Sequence, residues 1–170
     1  MRKKSPIRTK EWMVFLAETP VGSLKLSFTD RGLSALEFAR EGASLAPKQD
    51  SPSPHLKPLI EAAKRELIAY FQGSATDFAD LTLDPQGTPF QLRVWQELRR
   101  IPRGQTISYG ELARRVGSPK ASRAVGQANA VNPIPLIIPC HRVIAANGTL
   151  GGYSSGLDRK RWLLRHEGAM

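Results

Sequence analysis

The stretch 108–132, SYGELARRVGSPKASRAVGQANAVN, decides how the second half of the chain folds. Ser108 followed by Glu111 is the pattern of a helix capping box, and apolar residues then repeat at helical spacing until Gly117. Ser118-Pro119 is a start signal for a second helix with the same apolar spacing. Two short helices joined by a tight glycine turn predict a helix-turn-helix.

The outward face of the second predicted helix carries side chains of the types that reach phosphates and bases in DNA. These are Lys120, Ser122, Arg123 and Gln127. A pair of helices packed in a core, with an ordinary solvated face, is the alternative interpretation of the same pattern.

The net charge of +10 is concentrated in the second half of the chain. Residues 86–170 carry 13 Lys or Arg against 4 Asp or Glu, whereas residues 1–85 carry 12 against 11. Phosphates neutralised by basic side chains release counterions, so a basic half favours a nucleic acid partner. A basic surface that serves only solubility is the alternative.

The first half predicts a small antiparallel sheet with one helix. Apolar and polar residues alternate over 24–29, the chain turns, and an apolar run resumes over 33–38. This pattern is typical of a hairpin, and the run 12–17 is expected to add a third strand. Residues 56–71 keep helical spacing, with Gly73 as the stop.

A boundary between two lobes is expected near LTLDPQGTPF at 81–90, so that 1–84 forms the first lobe and 85–170 the second. Thr88 can cap a helix there, with Pro89 in its first position and Gln91 completing a capping box. The resulting fold class is α/β in the α+β sense: a sheet-and-helix lobe followed by a mostly helical lobe. A basic arm at 1–10 and a loop at 41–58 complete the description.

The only cysteine, Cys140, lies in NPIPLIIPCHRVIAANG at 132–148. One cysteine closes no internal disulfide and makes no cysteine-rich zinc site, so a reducing cytoplasm is expected. The apolar runs of the chain are too short for a signal peptide or a membrane span, which predicts a protein without membrane association.

A thiol with a pKa near 8.5 needs a base or positive charge nearby to act as a nucleophile at neutral pH. His141 and Arg142 adjoin Cys140, but adjacent side chains diverge in a helix or strand, so adjacency alone does not place the imidazole on the sulfur. A small buried apolar residue is the alternative interpretation of an isolated cysteine.

The stretch 122–168, SRAVGQANAVNPIPLIIPCHRVIAANGTLGGYSSGLDRKRWLLRHEG, closely resembles the DNA-binding and active-site region of the O6-alkylguanine-DNA alkyltransferases. Their hallmark Pro-Cys-His-Arg-Val is intact at 139–143. The match runs without a gap from about Thr88 to Gly168, half of the chain. The first lobe resembles the family only in architecture, as a small ribonuclease-H-like sheet and helix.

This resemblance implies a suicide alkyltransferase, a methylated-DNA–protein-cysteine S-methyltransferase. Cys140 takes the alkyl group irreversibly from guanine O6, with O4-alkylthymine left open, and His141 draws the thiol proton through a water. Glu167 orients the imidazole as in a Cys-His-acid triad. Tyr109 donates toward the departing guanine. Asn132 braces the turn between the recognition helix and the active site.

The resemblance also implies base flipping into a pocket in which main-chain groups of Cys140, Val143 and Ser154 read the guanine. The substrate-binding set comprises Val143, Ser154, Tyr153 and Gly151. Arg123 enters the base stack, and the recognition helix lies in the minor groove. The DNA-binding set comprises Arg123, Ser122, Ala124, Lys120 and Gln127.

No cofactor and no metal are expected. Some relatives carry a structural zinc in the first lobe, but here that lobe has no cysteine and only His55. The implied partner is double-stranded DNA containing O6-alkylguanine, bound by a monomer, with cooperative binding left open. The expected location is cytoplasmic, or nuclear in a eukaryote.

Two other functions fit parts of the sequence. A non-catalytic protein that binds alkyl lesions resembles the same family but lacks the acceptor cysteine, which is present here. A cysteine hydrolase turns over many times and needs no helix-turn-helix. Without the resemblance, Glu167 reads as an exposed carboxylate near the C-terminus, and His166 is the rival partner for His141.

Overall fold

A computed structural model describes residues 11–39 and 52–170. The first lobe opens with three strands, β1 (Trp12–Leu16), β2 (Leu24–Thr29) and β3 (Gly32–Phe38), paired antiparallel in the order β1-β2-β3. The predicted hairpin and third strand are therefore confirmed. The predicted basic arm, and most of the predicted loop at 41–58, lie outside the described residues.

The alternation in β2 produces one buried face, because successive side chains of a strand point to opposite sides. Leu24, Leu26 and Phe28 are almost fully buried. A bulge between Ser27 and Phe28 shifts the register against β3. The sheet thus presents a continuous apolar face to the rest of the first lobe.

Helix α1 (Leu56–Phe71) covers that apolar face and ends before Gly73, as predicted. Its buried side chains recur at helical spacing: Leu56, Ile60, Ala63, Leu67 and Tyr70. Gly73 has a φ of +90°, a conformation that glycine adopts without a steric penalty.

Helix α2 (Pro89–Arg99) opens the second lobe with the complete capping box predicted from its sequence. The Thr88 hydroxyl accepts from the Gln91 amide at 3.2 Å, and the Gln91 side chain accepts from the Thr88 amide at 2.8 Å. The Trp95 indole N–H donates to the Ala128 carbonyl at 2.9 Å, which attaches α2 to the helix-turn-helix.

The helix-turn-helix consists of α3 (Tyr109–Arg115) and α4 (Ser122–Ala130). The predicted start of the second helix at Ser118-Pro119 is wrong. Residues 118–121 form a turn closed by a 2.8 Å hydrogen bond from the Ala121 amide to the Ser118 carbonyl. Lys120 therefore precedes α4 and does not lie on its face.

The predicted capping box of α3 is only half formed. The Ser108 hydroxyl accepts from the Glu111 amide at 3.1 Å, as expected. The Glu111 carboxylate, however, pairs with Arg114 and Arg115 instead of returning to the Ser108 amide. Two guanidiniums within one turn of the helix compete successfully for the carboxylate.

The remaining elements carry the chain across the second lobe. Two short strands, β4 (Ile107–Ser108) and β5 (Val143–Ile144), pair in parallel, and a 3-10 turn at Cys140–Arg142 directly precedes β5. Helix α5 (Leu157–His166) closes the fold and contacts α1 through Phe71 and Trp162, whose ring centroids are 6.0 Å apart. No helix in the described part of the chain is long and apolar enough to span a membrane.

Candidate active site

The approach to Cys140 is a buried irregular segment held by Asn132. The Asn132 side chain donates to the Ile138 carbonyl at 2.7 Å and accepts from the Ile134 amide at 3.0 Å. Between them Leu136 has a φ of +75°, which a branched side chain rarely adopts. These bonds hold the segment in the curve that places Cys140 at the start of the 3-10 turn.

The thiol of Cys140 is buried, at 2% exposure. Burial raises its pKa, and the nearby Asn132 and Tyr153 side chains together with the charge of Lys160 offset part of that effect. Neither side chain forms a hydrogen bond of normal geometry with the sulfur, since Asn132 Nδ2 donates to the Ile138 carbonyl and the Tyr153 hydroxyl has no partner among the described residues. The sulfur is therefore a thiol at neutral pH and needs a base to become a nucleophile.

A buried polar cluster centred on Glu167 includes His141 and Arg142, the two residues that follow Cys140 in the chain. His141 Nε2 is 2.9 Å from Glu167 Oε1, and both side chains are fully inaccessible. Arg142 donates from Nε to Glu167 Oε2 at 2.8 Å and from Nη2 to Oε1 at 2.9 Å. The Arg142 Nη1 donates to the Ile101 carbonyl. The exposed-carboxylate interpretation of Glu167 is thus wrong.

The first lobe supplies a further donor to this cluster. The Tyr70 hydroxyl, at the end of α1, donates to Glu167 Oε1 at 2.8 Å. Sequence reasoning placed Tyr70 only on the apolar face of a helix, and that spacing carries no signal for a partner 97 positions away. Burial, with the charge of Glu167, raises the pKa of Tyr70, so the phenol stays protonated.

The charge states within the cluster follow from its contacts. Burial disfavours an ionised Glu167, but bonds from His141 and Arg142 outweigh it and hold the pKa of Glu167 well below its ordinary range. Burial lowers the pKa of His141, against the opposing charge of Glu167, so the imidazole is neutral. An ionised carboxylate only accepts, so His141 Nε2 carries the proton and Nδ1 has the lone pair.

The lone pair of His141 Nδ1 is buried and has no hydrogen-bond partner among the described residues. The rival His166 is directed elsewhere: its Nε2 lies 2.6 Å from the Tyr70 carbonyl, and its ring stacks on Trp162 at 4.6 Å. Of these two imidazoles, His141 is the one that has a buried nitrogen without a partner among the described residues.

Lys160 is a further buried charged residue, and the sequence analysis did not select it. Its ammonium donates to the carbonyls of Val143 at 2.6 Å, Gly152 at 3.2 Å and also Leu150. Burial lowers the pKa of Lys160 to about 8. A signal was present, because positions 160, 163, 164 and 167 have the i, i+3, i+4, i+7 spacing of the buried face of α5.

Tyr109 and Gly151 meet at the edge of the site. A Cβ atom built on Gly151 lies 3.4 Å from the Tyr109 hydroxyl, and the φ of Gly151 is +68°. The glycine therefore permits the close approach of its loop to Tyr109. Burial, with the negative charge of an ionised Cys140, raises the pKa of Tyr109, which stays a donor.

The residues expected to read the base differ in their exposure to solvent. Val143 is buried and its carbonyl is already held by Lys160, whereas Ser154 is exposed. The Cys140 carbonyl accepts from the Asn129 side chain at 3.4 Å. The Val143 amide also donates to the Cys140 carbonyl, so both lone pairs of that carbonyl have partners within the protein.

The expected DNA-binding residues share one surface but not one element. Arg123, Ala124 and Gln127 are exposed on α4, and Ser122 is half-buried at its start. Lys120 is exposed in the preceding turn. Neither Arg123 nor Lys120 forms an ion pair within the part of the chain that the structure describes.

Metal ligands do not cluster in the described ranges 11–39 and 52–170, where no three His, Cys, Asp or Glu side chains could hold one ion. The described site holds a buried thiol, a neutral imidazole bonded to an ionised carboxylate, and phenol hydroxyls.

Two family models together match most of the chain. Residues 14–85 match the ribonuclease-like domain of 6-O-methylguanine DNA methyltransferase, and residues 89–169 match its DNA-binding domain. The resemblance drawn from the Pro-Cys-His-Arg-Val segment and the expected two-lobe fold class are therefore confirmed.

Individual proteins agree with these models. The methylated-DNA–protein-cysteine methyltransferase of Methanosarcina acetivorans is 47% identical over 152 residues, covering 89% of this chain and 96% of that protein. The Mycobacterium tuberculosis protein of the same name is 45% identical over 150 residues, covering 88% of each. A crystal structure of Mycobacterium tuberculosis OGT in complex with DNA matches with a TM-score of 0.78 at 43% identity, covering 92% of both chains. With similarity of this extent across both lobes, the chain belongs to the methylated-DNA–protein-cysteine methyltransferase family.

Proposed function

We propose that this protein repairs DNA by transferring the alkyl group of O6-alkylguanine to Cys140, once per molecule. The observation that carries the proposal is that the buried Cys140 is followed directly by His141, a neutral imidazole 2.9 Å from the ionised Glu167 carboxylate. Family membership supports the same reaction.

The transfer is a displacement at carbon. The Cys140 sulfur forms a bond to the alkyl carbon, the bond from that carbon to guanine O6 breaks, and the electron pair stays with the guanine. The thiol proton passes through a water to His141 Nδ1, which the geometry of the Glu167 contact leaves unprotonated. Glu167 then stabilises the imidazolium that forms.

Tyr109 acts on the leaving group in this mechanism. Its raised pKa keeps the phenol protonated, so it can donate to the guanine ring as negative charge develops there. A neutral guanine is a better leaving group than its anion. Asn132 and Lys160 are positioning residues that hold the segments on either side of the sulfur.

DNA is bound through the exposed face of α4 and the turn before it. Arg123 fills the space left by the flipped nucleotide and offsets part of an unstacking cost of a few kcal/mol. Lys120 and Gln127 contribute sequence-independent contacts, which suits a protein that must find a lesion in any sequence.

The test is the intact mass of the protein after incubation with a duplex containing O6-methylguanine. Each chain should gain one methyl group and then stop, and Cys140→Ser should gain none while still binding the duplex. A lesion-binding protein without catalysis would show no mass change in wild type. Repeated turnover by substoichiometric protein would instead identify a hydrolase and refute the suicide mechanism.

A further inference from the structure

A pocket of about 560 Å³ lies between β3 of the first lobe and the loop that follows β5. Its lining includes Ala35, Phe38, Asn132, Pro135, Ser154 and Arg159. Asn132 connects the pocket to the chemistry, because the same side chain donates to the carbonyl of Ile138, two residues before Cys140, at 2.7 Å. None of the described residues that line it belongs to α4, so the pocket is separate from the DNA-binding helix.

Arg159 gives this pocket a positive charge, and the groups that its guanidinium contacts are all neutral. Its Nε donates to the Val21 carbonyl and its Nη1 to the Ser155 carbonyl, each at 2.9 Å. Its Cζ lies 4.8 Å from the centroid of the Phe38 ring. No carboxylate in the described part of the chain forms an ion pair with it. Since a guanidinium has five N–H donors, several remain for a ligand.

The carboxylates nearest in sequence and in the pocket are already engaged. Glu37 also lines the pocket, but it forms an ion pair with Lys25. Asp158 forms an ion pair with Arg161 at 2.9 Å. The free charge of the pocket is therefore that of Arg159.

We propose that this pocket binds O6-alkyl groups that are longer than a methyl group and end in a carboxylate. This inference rests on the proposed function. Arg159 binds the carboxylate through charge-assisted hydrogen bonds. The Cys140 sulfur then bonds to the carbon attached to O6, the bond from that carbon to O6 breaks with its electron pair left on guanine, and the thiol proton goes to His141. The carboxylate is unchanged and stays on the protein with the alkyl group.

The test compares two free bases of equal size, O6-(4-carboxybenzyl)guanine and O6-(4-carbamoylbenzyl)guanine, in single-turnover transfer. Neither carries a phosphate, so DNA contacts do not contribute to the comparison. Wild type should react about tenfold faster with the acid than with the amide, as a charge-assisted contact at a half-buried site allows. In Arg159→Gln this ratio should fall to about one.

Two further variants sharpen the comparison. Arg161→Gln removes the same charge from the same helix outside the pocket and should keep the wild-type ratio. Glu37→Gln removes the carboxylate that lines the pocket and should raise the ratio. If Arg159→Gln does not fold, Glu37→Gln decides, and a ratio that does not rise there overturns the proposal.

Equal rates for the two bases in wild type, or a ratio unchanged in Arg159→Gln, overturn the proposal. If Arg159 instead bound a DNA phosphate, Arg159→Gln would weaken duplex affinity and leave the ratio unchanged. Methyl transfer from an O6-methylguanine duplex is measured on the same preparations. Its absence in wild type refutes the proposed function, whereas methyl transfer without a carboxylate preference refutes only this inference.

Discussion

The two lobes bury different kinds of side chain. In the described residues, the buried polar side chains of the first lobe are the hydroxyls of Ser27, Thr29 and Ser34. The second lobe buries ionisable side chains: His141, Arg142, Lys160 and Glu167. A buried charge costs free energy unless it is paired, so the second lobe accepts a cost that a purely structural core avoids. The buried ionisable side chains belong to the same lobe as Cys140. The first lobe contributes apolar packing and the Tyr70 hydroxyl.

The largest expected effect is that of Glu167→Gln. Removing the charge leaves Arg142 buried without its counterion, which should lower the free energy of unfolding by about 3–5 kcal/mol. The transfer rate should fall about a hundredfold or more, because His141 loses the group that stabilises its protonated form. Urea unfolding and single-turnover methyl transfer measure the two effects.

Glu111→Gln is the matched control, since Glu111 also contacts two arginines but at the surface. Its effect on the free energy of unfolding should be far smaller than that of Glu167→Gln, because solvent screens an exposed ion pair. Equal losses of stability in the two variants would contradict the contrast between buried and exposed charge.

Arg123→Ala should lower the rate on duplex substrate at saturation by about tenfold or more, with no loss of stability, because the side chain is exposed. Free O6-benzylguanine reaches the pocket without base flipping, so its rate should change little. A role limited to phosphate contact predicts weaker affinity, a shallower salt dependence and an unchanged saturated rate. Equal losses on both substrates would remove Arg123 from the flipping step.

Tyr70→Phe tests the contribution of the first lobe to the site. Loss of one hydrogen bond to Glu167 should lower the free energy of unfolding by about 1–1.5 kcal/mol and slow transfer severalfold. In a double-mutant cycle, the effect should largely vanish in a Glu167→Gln background. Additive effects would show that Tyr70 acts only as a packing residue.

The effect of pH on wild type is the most gradual, because it is spread over several pH units. Burial holds the pKa of His141 below its unfolded value near 6.5, so the unfolded chain takes up more protons on acidification. Stability should therefore be complete above that value and fall as pH drops below it, with one proton limiting the slope to about 1.4 kcal/mol per pH unit. Glu167, whose pKa is also lowered, adds to the loss below about pH 4.5.

Urea unfolding at pH 8, 7, 6 and 5 measures this dependence. His141→Gln should flatten it between pH 7 and 5, whereas His166→Ala should keep it. Stability that rises on acidification would show that His141 is protonated in the folded state.

Local sequence patterns were sufficient for most of the elements. The capping box at Thr88 and the alternation in β2 act between residues close in the chain, so their outcomes could be predicted from spacing. The start of α4 could not, because Ser118-Pro119 satisfies the start signal yet the chain completes a separate turn before Ser122. The second half of the α3 capping box did not form either, because the Glu111 carboxylate pairs with Arg114 and Arg115 instead of the Ser108 amide.

The sequence on its own indicated the family to which the chain belongs and singled out Cys140 and His141 as candidate site residues, because those signals are compact and contiguous. Only the tertiary structure showed that the Tyr70 hydroxyl donates to Glu167 and that the Lys160 ammonium donates to three carbonyls. It also showed the pocket that Arg159 lines. Each of these contacts joins segments distant in the chain or a loop without regular spacing. Their physical basis is the packing of α1 against α5, and of β3 against residues 132–135 and 154–159. Local periodicity in the sequence does not encode these contacts.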